Sequence, residues 1–174
     1  DGATLLPMLE KTVDGDPPRA LRIEAFDVAR AAFTGGRVFY PLDPRAEAIG
    51  ALASVGGRVM AVIERDHREG ASARFKRIFL VDLDVADADG ALRKREIADL
   101  LAIDDRHDLD RDGSSLFAFP FVTIESLLPI DERTLLVVND NNFPFTSARE
   151  HGVPHDTEFI LLRFARPLAE LAPR

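Results

Sequence analysis

The sequence predicts an all-β chain built from short antiparallel strands, and three observations carry that expectation. Three stretches repeat one pattern, an apolar run that ends on a polar tip: TLLPMLEKT (Thr4 to Thr12), RVMAVIERD (Arg58 to Asp66) and TLLVVNDNN (Thr134 to Asn142). Setting Glu10, Glu64 and Asn139 in register gives offsets of 54 and 75 residues. The second match also runs back without a gap, from Ile49 to Asp66 against Ile124 to Asn141, placing Leu52 on Leu127, Val55 on Ile130, Arg58 on Arg133 and Val62 on Val137. Finally, the apolar runs are about five to seven residues long and separated by turn residues, with no long amphipathic helix between them. One supersecondary unit recurring along a chain is the mark of a repeat architecture.

Each polar tip is followed by a loop and a further strand: Ala20 to Val28, Phe75 to Leu83 and Thr157 to Phe164. Two units add another strand, Arg37 to Leu42 and Arg93 to Leu100, and short strands near Ile49 to Ala53 and Val122 to Leu128 precede two of the tips. Ala86 to Gly90 (ADADG) reads as a hairpin turn, because Asp-Gly suits its positive φ angles. Leu92 to Leu101 is open to a short helix as well, since apolar spacing over so few residues does not separate the two. Four antiparallel strands per unit make the blade of a β-propeller. The expectation is therefore about three blades of a larger propeller: units at 1–45, 46–101 and 122–166, with an insertion at 102–121. The first unit then lacks its inner strand and the last its outer one, so the chain is expected to pair with remaining blades or with another chain.

A length of 174 residues suits one domain or part of one. The net charge of −8 argues against a nucleic-acid partner, which calls for a basic stripe, and suits cations or substrates that cations bring. No run of about 18 apolar residues is present to span a bilayer. There is no cysteine, hence no disulfide framework or thiolate chemistry. The chain starts on Asp1 without a signal peptide, so a processed, trimmed or cut chain is expected. Neither a G-x-S-x-G elbow, a Walker loop nor a dinucleotide fingerprint occurs, which removes serine hydrolase, nucleotide hydrolase and dehydrogenase readings.

In a blade, equivalent strand ends open on one face, so Glu10, Glu64, Asp66, Glu125 and Asp140 are expected around one mouth. Like charges about 4 Å apart repel by roughly 1 to 4 kcal/mol. Such a cluster needs a hard cation with oxygen ligands or basic partners, for which Arg74, Lys76 and Arg149 are the candidates. Lys11 and Arg65 follow two of the acids, but strand alternation sends neighbours to opposite faces. Structural ion pairs pinning unit to unit explain the same residues, because such networks mimic functional sites.

Asn139, Asp140, Asn141 and Asn142 supply side-chain carbonyls and a carboxylate within one loop, beside an apolar lip at Phe143, Pro144 and Phe145. Asn and Asp also serve purely conformational roles in tight turns. Asp108, Asp110, Asp112 and Gly113 have the spacing of a calcium loop, although position twelve is Phe119 where the helix-flanked version has Glu. A polar surface loop is the alternative. His67, His107, His151 and His155 fall on polar loops without metal-ligand spacing. His151 or His155, close to Arg149, Asp156 and Glu158, would suit a proton donor to a leaving group, against the default of a solvated loop histidine.

The segment FVTIESLLPIDERTLLVVNDNNFPFTSAREHGVPHDTEFILLRF (Phe121 to Phe164) resembles the closing part of the "esterase-like activity of phytase" family. The earlier MLEK and VIERDH…RFKRIFLVDL segments are similar to it in the same order, so the resemblance covers most of the chain. It implies a propeller-like secreted or periplasmic protein whose acidic positions act on phosphate esters. The expected reaction is hydrolysis of a small phosphate ester by metal-assisted attack of water. Glu125, Glu64 and Asp140 are the expected catalytic acids, and Lys76, Arg149 and Asn141 would bind substrate. Ca²⁺ would sit on Glu125, Asp140 and Asn139, with Asp108, Asp110 and Asp112 as the alternative site. The competing expectations are a non-catalytic propeller that binds a ligand or protein partner at the same mouth, and acids that are wholly structural.

Overall fold

A computed structural model describes residues 2–150 and 152–174. Twelve strands form four antiparallel sheets among these residues. The first sheet is β1 (Thr4–Leu5), β2 (Ala20–Asp27) and β3 (Ala32–Pro41), in that order. The middle sheet is β4 (Ala48–Gly56), β5 (Val59–Arg65), β6 (Lys76–Ala86) and β7 (Leu92–Asp99). A two-stranded ribbon, β8 (Ile103–Asp104) with β9 (Leu116–Phe117), carries the insertion. The third sheet is β10 (Ile124–Asp131), β11 (Thr134–Asn139) and β12 (Phe159–Arg163). The chain is all-β, its sheets resembling propeller-blade units, and the Leu92 segment is a strand. No helix is long and apolar enough to cross a membrane, among the described residues.

The 75-residue repeat holds down to its irregularities. In the middle sheet Ile49 pairs with Glu64, and the register then shifts between Ile49 and Ala51 and again between Ser54 and Gly56. In the third sheet Ile124 pairs with Asn139, with shifts between Ile124 and Ser126 and between Pro129 and Asp131. Gly50 and Glu125 are thus the extra residues of equivalent β-bulges, which bend a strand at a fixed place.

The sheets stack face to face through two seams. One buries Leu21, Ile23 and Tyr40 of the first sheet against Met60, Val62 and Val81 of the middle one. The other buries Ala61, Ile63, Ile78 and Leu80 of the middle sheet against Leu127, Leu135, Val137 and Leu162 of the third. Period-two alternation explains the division: even positions of β5 look back at the first sheet and odd positions look forward.

The same alternation corrects the first repeat. Met8 bridges Ile23, and Leu6 and Met8 pack into the seam with the middle sheet. They therefore look forward, as Ala61 and Ile63 do, whereas an offset of 54 would match them to the backward-looking Met60 and Val62. The true offset is odd, because a one-residue slip exchanges the two faces of a strand. Glu10 lies exposed beyond this bridge and has no register equivalence with Glu64.

Candidate functional site

Glu64 sits on the backward face of β5, fully buried. The Tyr40 hydroxyl donates to its Oε1 at 2.5 Å, the Asp43 backbone N–H donates to its Oε2 at 2.9 Å, and the Lys94 ammonium donates to Oε1. Burial, then the neighbouring Glu64 charge, holds the Tyr40 hydroxyl well above its ordinary pKa, while burial pushes the Lys94 ammonium down. The ammonium also lies over the Phe79 and Tyr40 rings at 4.3 and 5.0 Å, where ring quadrupoles favour a cation. This cluster ties the first sheet to the middle one across their seam. Tyr40 and Lys94 are not apparent as partners in the sequence. The available signal is Glu64 itself, a carboxylate in step with Met60 and Val62 on an apolar face, which needs a buried partner.

Asp66 and Lys76 form a second buried unit. The Lys76 Nζ donates to Asp66 Oδ1 at 2.5 Å, to the Asp66 carbonyl at 2.8 Å and to the Arg68 carbonyl at 2.8 Å. An ammonium has three donors, so all are taken. Asp66 Oδ2 accepts the Arg74 and Phe75 backbone N–H groups at 2.7 and 3.2 Å. Burial raises the Asp66 carboxyl, but the bonds from Lys76 and the backbone outweigh it and hold it below the usual range. Burial lowers the Lys76 ammonium.

The loop after β11 is organised around Asn139 and His155, both buried. Asn139 Oδ1 accepts the Glu158 backbone N–H at 2.6 Å, and its Nδ2 lies 3.3 Å from the Asp156 carbonyl and 3.4 Å from His155 Nδ1. Thr146 Oγ1 donates to the Asn141 carbonyl at 2.7 Å and lies 2.7 Å from His155 Nε2. His155 Nδ1 also lies 3.2 Å from the Asp156 carbonyl, so the ring is held on both sides, at Nε2 by Thr146 and at Nδ1 by Asn139 and Asp156. His155 is thus a structural linchpin, packed 4.6 Å from the Phe121 ring. His151, its sequence companion as a proton donor, lies outside the described residues. Arg149 donates from Nε and Nη2 to the Glu158 carboxylate at 2.7 and 2.6 Å and from Nη1 to the Ala118 carbonyl at 2.9 Å. This bidentate fork fixes the loop against Phe117 and Phe121, whose rings it covers at 5.0 Å.

Two of the expected acids face solvent. Asp140 is exposed, its Oδ1 accepting the Asn142 N–H at 3.0 Å, and Asn141 Oδ1 accepts the Phe143 N–H at 3.2 Å, so both act in part as turn formers. Glu125 stands on the β10 bulge with 46% of its side chain exposed, and Arg65 approaches its Oε1 only to 3.9 Å. That guanidinium is 9% exposed, and its Nε is buried without a hydrogen-bond partner among the described residues. The expected mouth is therefore divided. Glu64, Asp66, Lys76, Asn139 and Arg149 are held in internal networks, while Glu125, Asp140 and Asn141 lie at the surface beside them.

The Asp108 loop gathers what its spacing suggests. One carboxylate oxygen from each of Asp108, Asp110 and Asp112 lies within 4.8 Å of the others. Asp108, Arg111 and Gly113 all have positive φ, which folds the loop back on itself. Asp108 Oδ1 accepts the Gly113 N–H at 3.1 Å and Asp112 Oδ1 accepts the Ser114 N–H at 2.6 Å. Three hard oxygen donors suit a divalent cation such as Ca²⁺, and Asp108 is half-buried while the other two are exposed. Asp110 also borders a hollow of about 500 Å³ beside the free edge of β12, lined by Leu109, Phe117, Glu158 and Phe159. His107 is exposed near this loop, and His67 Nδ1 lies 3.9 Å from Glu47.

Residues 1–143 match a family model described as "Phytase-like: Esterase-like activity of phytase". No curated protein and no solved structure matches the chain.

Proposed function

Since the chain belongs to the phytase-like family described as having the esterase-like activity of phytase, we propose that it hydrolyses phosphate esters with a divalent cation. The observation that carries this reading is the convergence of Asp108, Asp110 and Asp112 on one point in a member of that family. Asp108, Asp110 and Asp112 would hold the cation, with Ca²⁺ fitting the all-oxygen donor set. A bound cation would offset phosphate charge and make a nearby water more acidic. That offset matters in a chain of net charge −8, which otherwise repels a phosphate ester. Glu125 and Asp140 are the expected acids that stand open to a water or substrate, and Arg65, whose Nε has no hydrogen-bond partner among the described residues, lies beside Glu125.

The commitment of Lys76, Arg149 and Asn139 to hydrogen bonds within the chain favours one other reading, a non-catalytic sheet stack whose surface acids bind a ligand or partner. Turnover separates the two. The chain is assayed with p-nitrophenyl phosphate and bis-p-nitrophenyl phosphate, with and without added Ca²⁺, Mg²⁺ or Mn²⁺. Cation-dependent release of nitrophenol that Asp110→Asn abolishes is the expected result. Cation binding without turnover of either ester would favour the binding protein, and release unaffected by chelator would remove the cation from the reaction.

A further inference from the structure

We propose that Arg65 and Glu125 form a binding site for a phosphoryl group that keeps one acidic proton, as inorganic phosphate and the monoanion of a phosphate monoester do. The site deepens the hydrolytic reading and rests on it for the ester, although its binding test needs no turnover. Arg65 closes β5 at an odd position, so it looks forward into the seam with the third sheet. Both sheets of that seam are described, and only 9% of the Arg65 side chain reaches solvent.

A guanidinium stays charged in a protein and carries five N–H donors. The Nε of Arg65 is enclosed without an acceptor among the described residues. Its only carboxylate neighbour within 4 Å among those residues is Glu125, whose Oε1 stands 3.9 Å from Nη2, beyond hydrogen-bond range. The acids near Arg65 in sequence are engaged elsewhere. Glu64 faces the other way and accepts from Tyr40, Asp43 and Lys94. Asp66 accepts from Lys76 and two backbone N–H groups, and Glu47 Oε2 accepts the His67 N–H at 2.6 Å. Lys76 is the cross-strand neighbour of Arg65, and Asp66 already offsets its charge, so the uncompensated positive charge here is that of the guanidinium. A buried charge without hydrogen bonds is costly, and such a group in a folded chain calls for an ion or ligand to complete it.

The two side chains also say which anion. A guanidinium only donates and a carboxylate only accepts. A ligand that satisfies both turns acceptor oxygens to Arg65 and one O–H to Glu125, each bond strengthened by the protein's charge. Hydrogen phosphate does this. Sulfate and a phosphodiester carry acceptors alone, and set an anionic oxygen against the Glu125 carboxylate. The half-exposed Glu125 gives the ligand its way in from solvent.

Calorimetric titration of the chain with chelator present tests this, because no divalent cation can then bridge Glu125 to an anion. Inorganic phosphate and glycerol 2-phosphate should bind, and sulfate and dimethyl phosphate at least about tenfold more weakly, as sites built around a hydrogen bond reject analogues that lack it. Arg65→Met should abolish phosphate binding, together with the rise in melting temperature that phosphate gives the wild type. Its own melting temperature without phosphate should not fall, because an apolar chain replaces a buried unpaired charge. Glu125→Gln puts an N–H donor beside the anion, so sulfate should then bind about as well as phosphate. Absence of phosphate binding, equal binding of phosphate and sulfate to the wild type, or phosphate binding retained in Arg65→Met each overturns the proposal. If Arg65→Met melts too low to titrate, Glu125→Gln decides alone, and an unchanged preference for phosphate overturns it. Arg65-dependent phosphate binding without ester turnover keeps this site and removes the hydrolysis, whereas turnover undiminished in Arg65→Met does the reverse.

Discussion

The carbonyl oxygen of Ile124 lies 1.9 Å from where a Cβ on Gly50 would stand. The inner strands of the middle and third sheets touch backbone to backbone at this point, and only glycine admits the approach. This gives a steric reason for the difference between two equivalent bulges: Gly50 is bare because Ile124 covers it, whereas no further sheet lies over Glu125 among the described residues.

Gly50→Ala is therefore expected to destabilise by about 3 kcal/mol, in the upper part of the usual range for overpacking. Urea unfolding monitored by circular dichroism measures it. Glu125→Ala, at the matching bulge, should change the unfolding midpoint very little. Equal losses from the two would mean that the bulges are not structurally distinct.

Glu125→Gln keeps the size of the side chain and removes its charge. If Glu125 serves the proposed hydrolysis, cation-dependent turnover should fall by about 10²-fold or more, the usual contribution of a general base. The melting temperature should hold, since Arg65 contacts this carboxylate only at 3.9 Å in a half-exposed setting. A lowered melting temperature with turnover intact would make Glu125 an ion-pair residue.

Asp110→Asn and Asp112→Asn each remove a charge from the three-carboxylate loop without touching the seams. Calorimetric titration with Ca²⁺ should show the wild-type heat vanish in both variants, because a charge-poor surface site loses most of its affinity. A heat of unchanged size in both would place the bound ion elsewhere.

Lys76→Met leaves the Asp66 carboxylate buried without its cation. Breaking a buried pair from one side costs about 3–5 kcal/mol. Adding Asp66→Asn should recover part of the loss, since an amide oxygen still accepts the Arg74 and Phe75 N–H groups. Denaturant unfolding of the wild type, both singles and the double variant gives the coupling directly.

Asp66 also fixes an acid limit. Its folded carboxyl titrates below the usual range, so its contribution to stability is complete above the unfolded value of about 3.9. That contribution is lost as pH falls through the folded value. Unfolding free energies measured downward from neutral pH should drop more steeply for the wild type than for Asp66→Asn, and parallel curves would assign the acid sensitivity to other groups.

Much of the strand order was legible because strand periodicity is local: the short antiparallel strands and the 75-residue match follow from runs of side chains, whereas the bulges at Gly50 and Glu125 show only in the pairing register. The offset to the first unit was not legible. TLLPMLEKT has too few strand residues to choose between registers one apart, and partners across the seam decided it. The candidate site shows the same division. The Asp108 spacing is a local signal, and it holds. Lys76 and Arg149 look free in sequence because the groups that satisfy them, backbone carbonyls at Asp66, Arg68 and Ala118 and the carboxylate of Glu158, are named by folding alone.

The chain contains three lysines, Lys11, Lys76 and Lys94, among 22 basic residues. Two of these ammonium groups are committed to buried carboxylates, which leaves the outer positive charge almost entirely to arginine. Amine-directed chemistry should consequently find few side-chain targets here: acetylating reagents, NHS esters and amine cross-linkers would mark Lys11 well before the other two. Delayed labelling of Lys76 and Lys94 would then report, residue by residue, when the packed state opens.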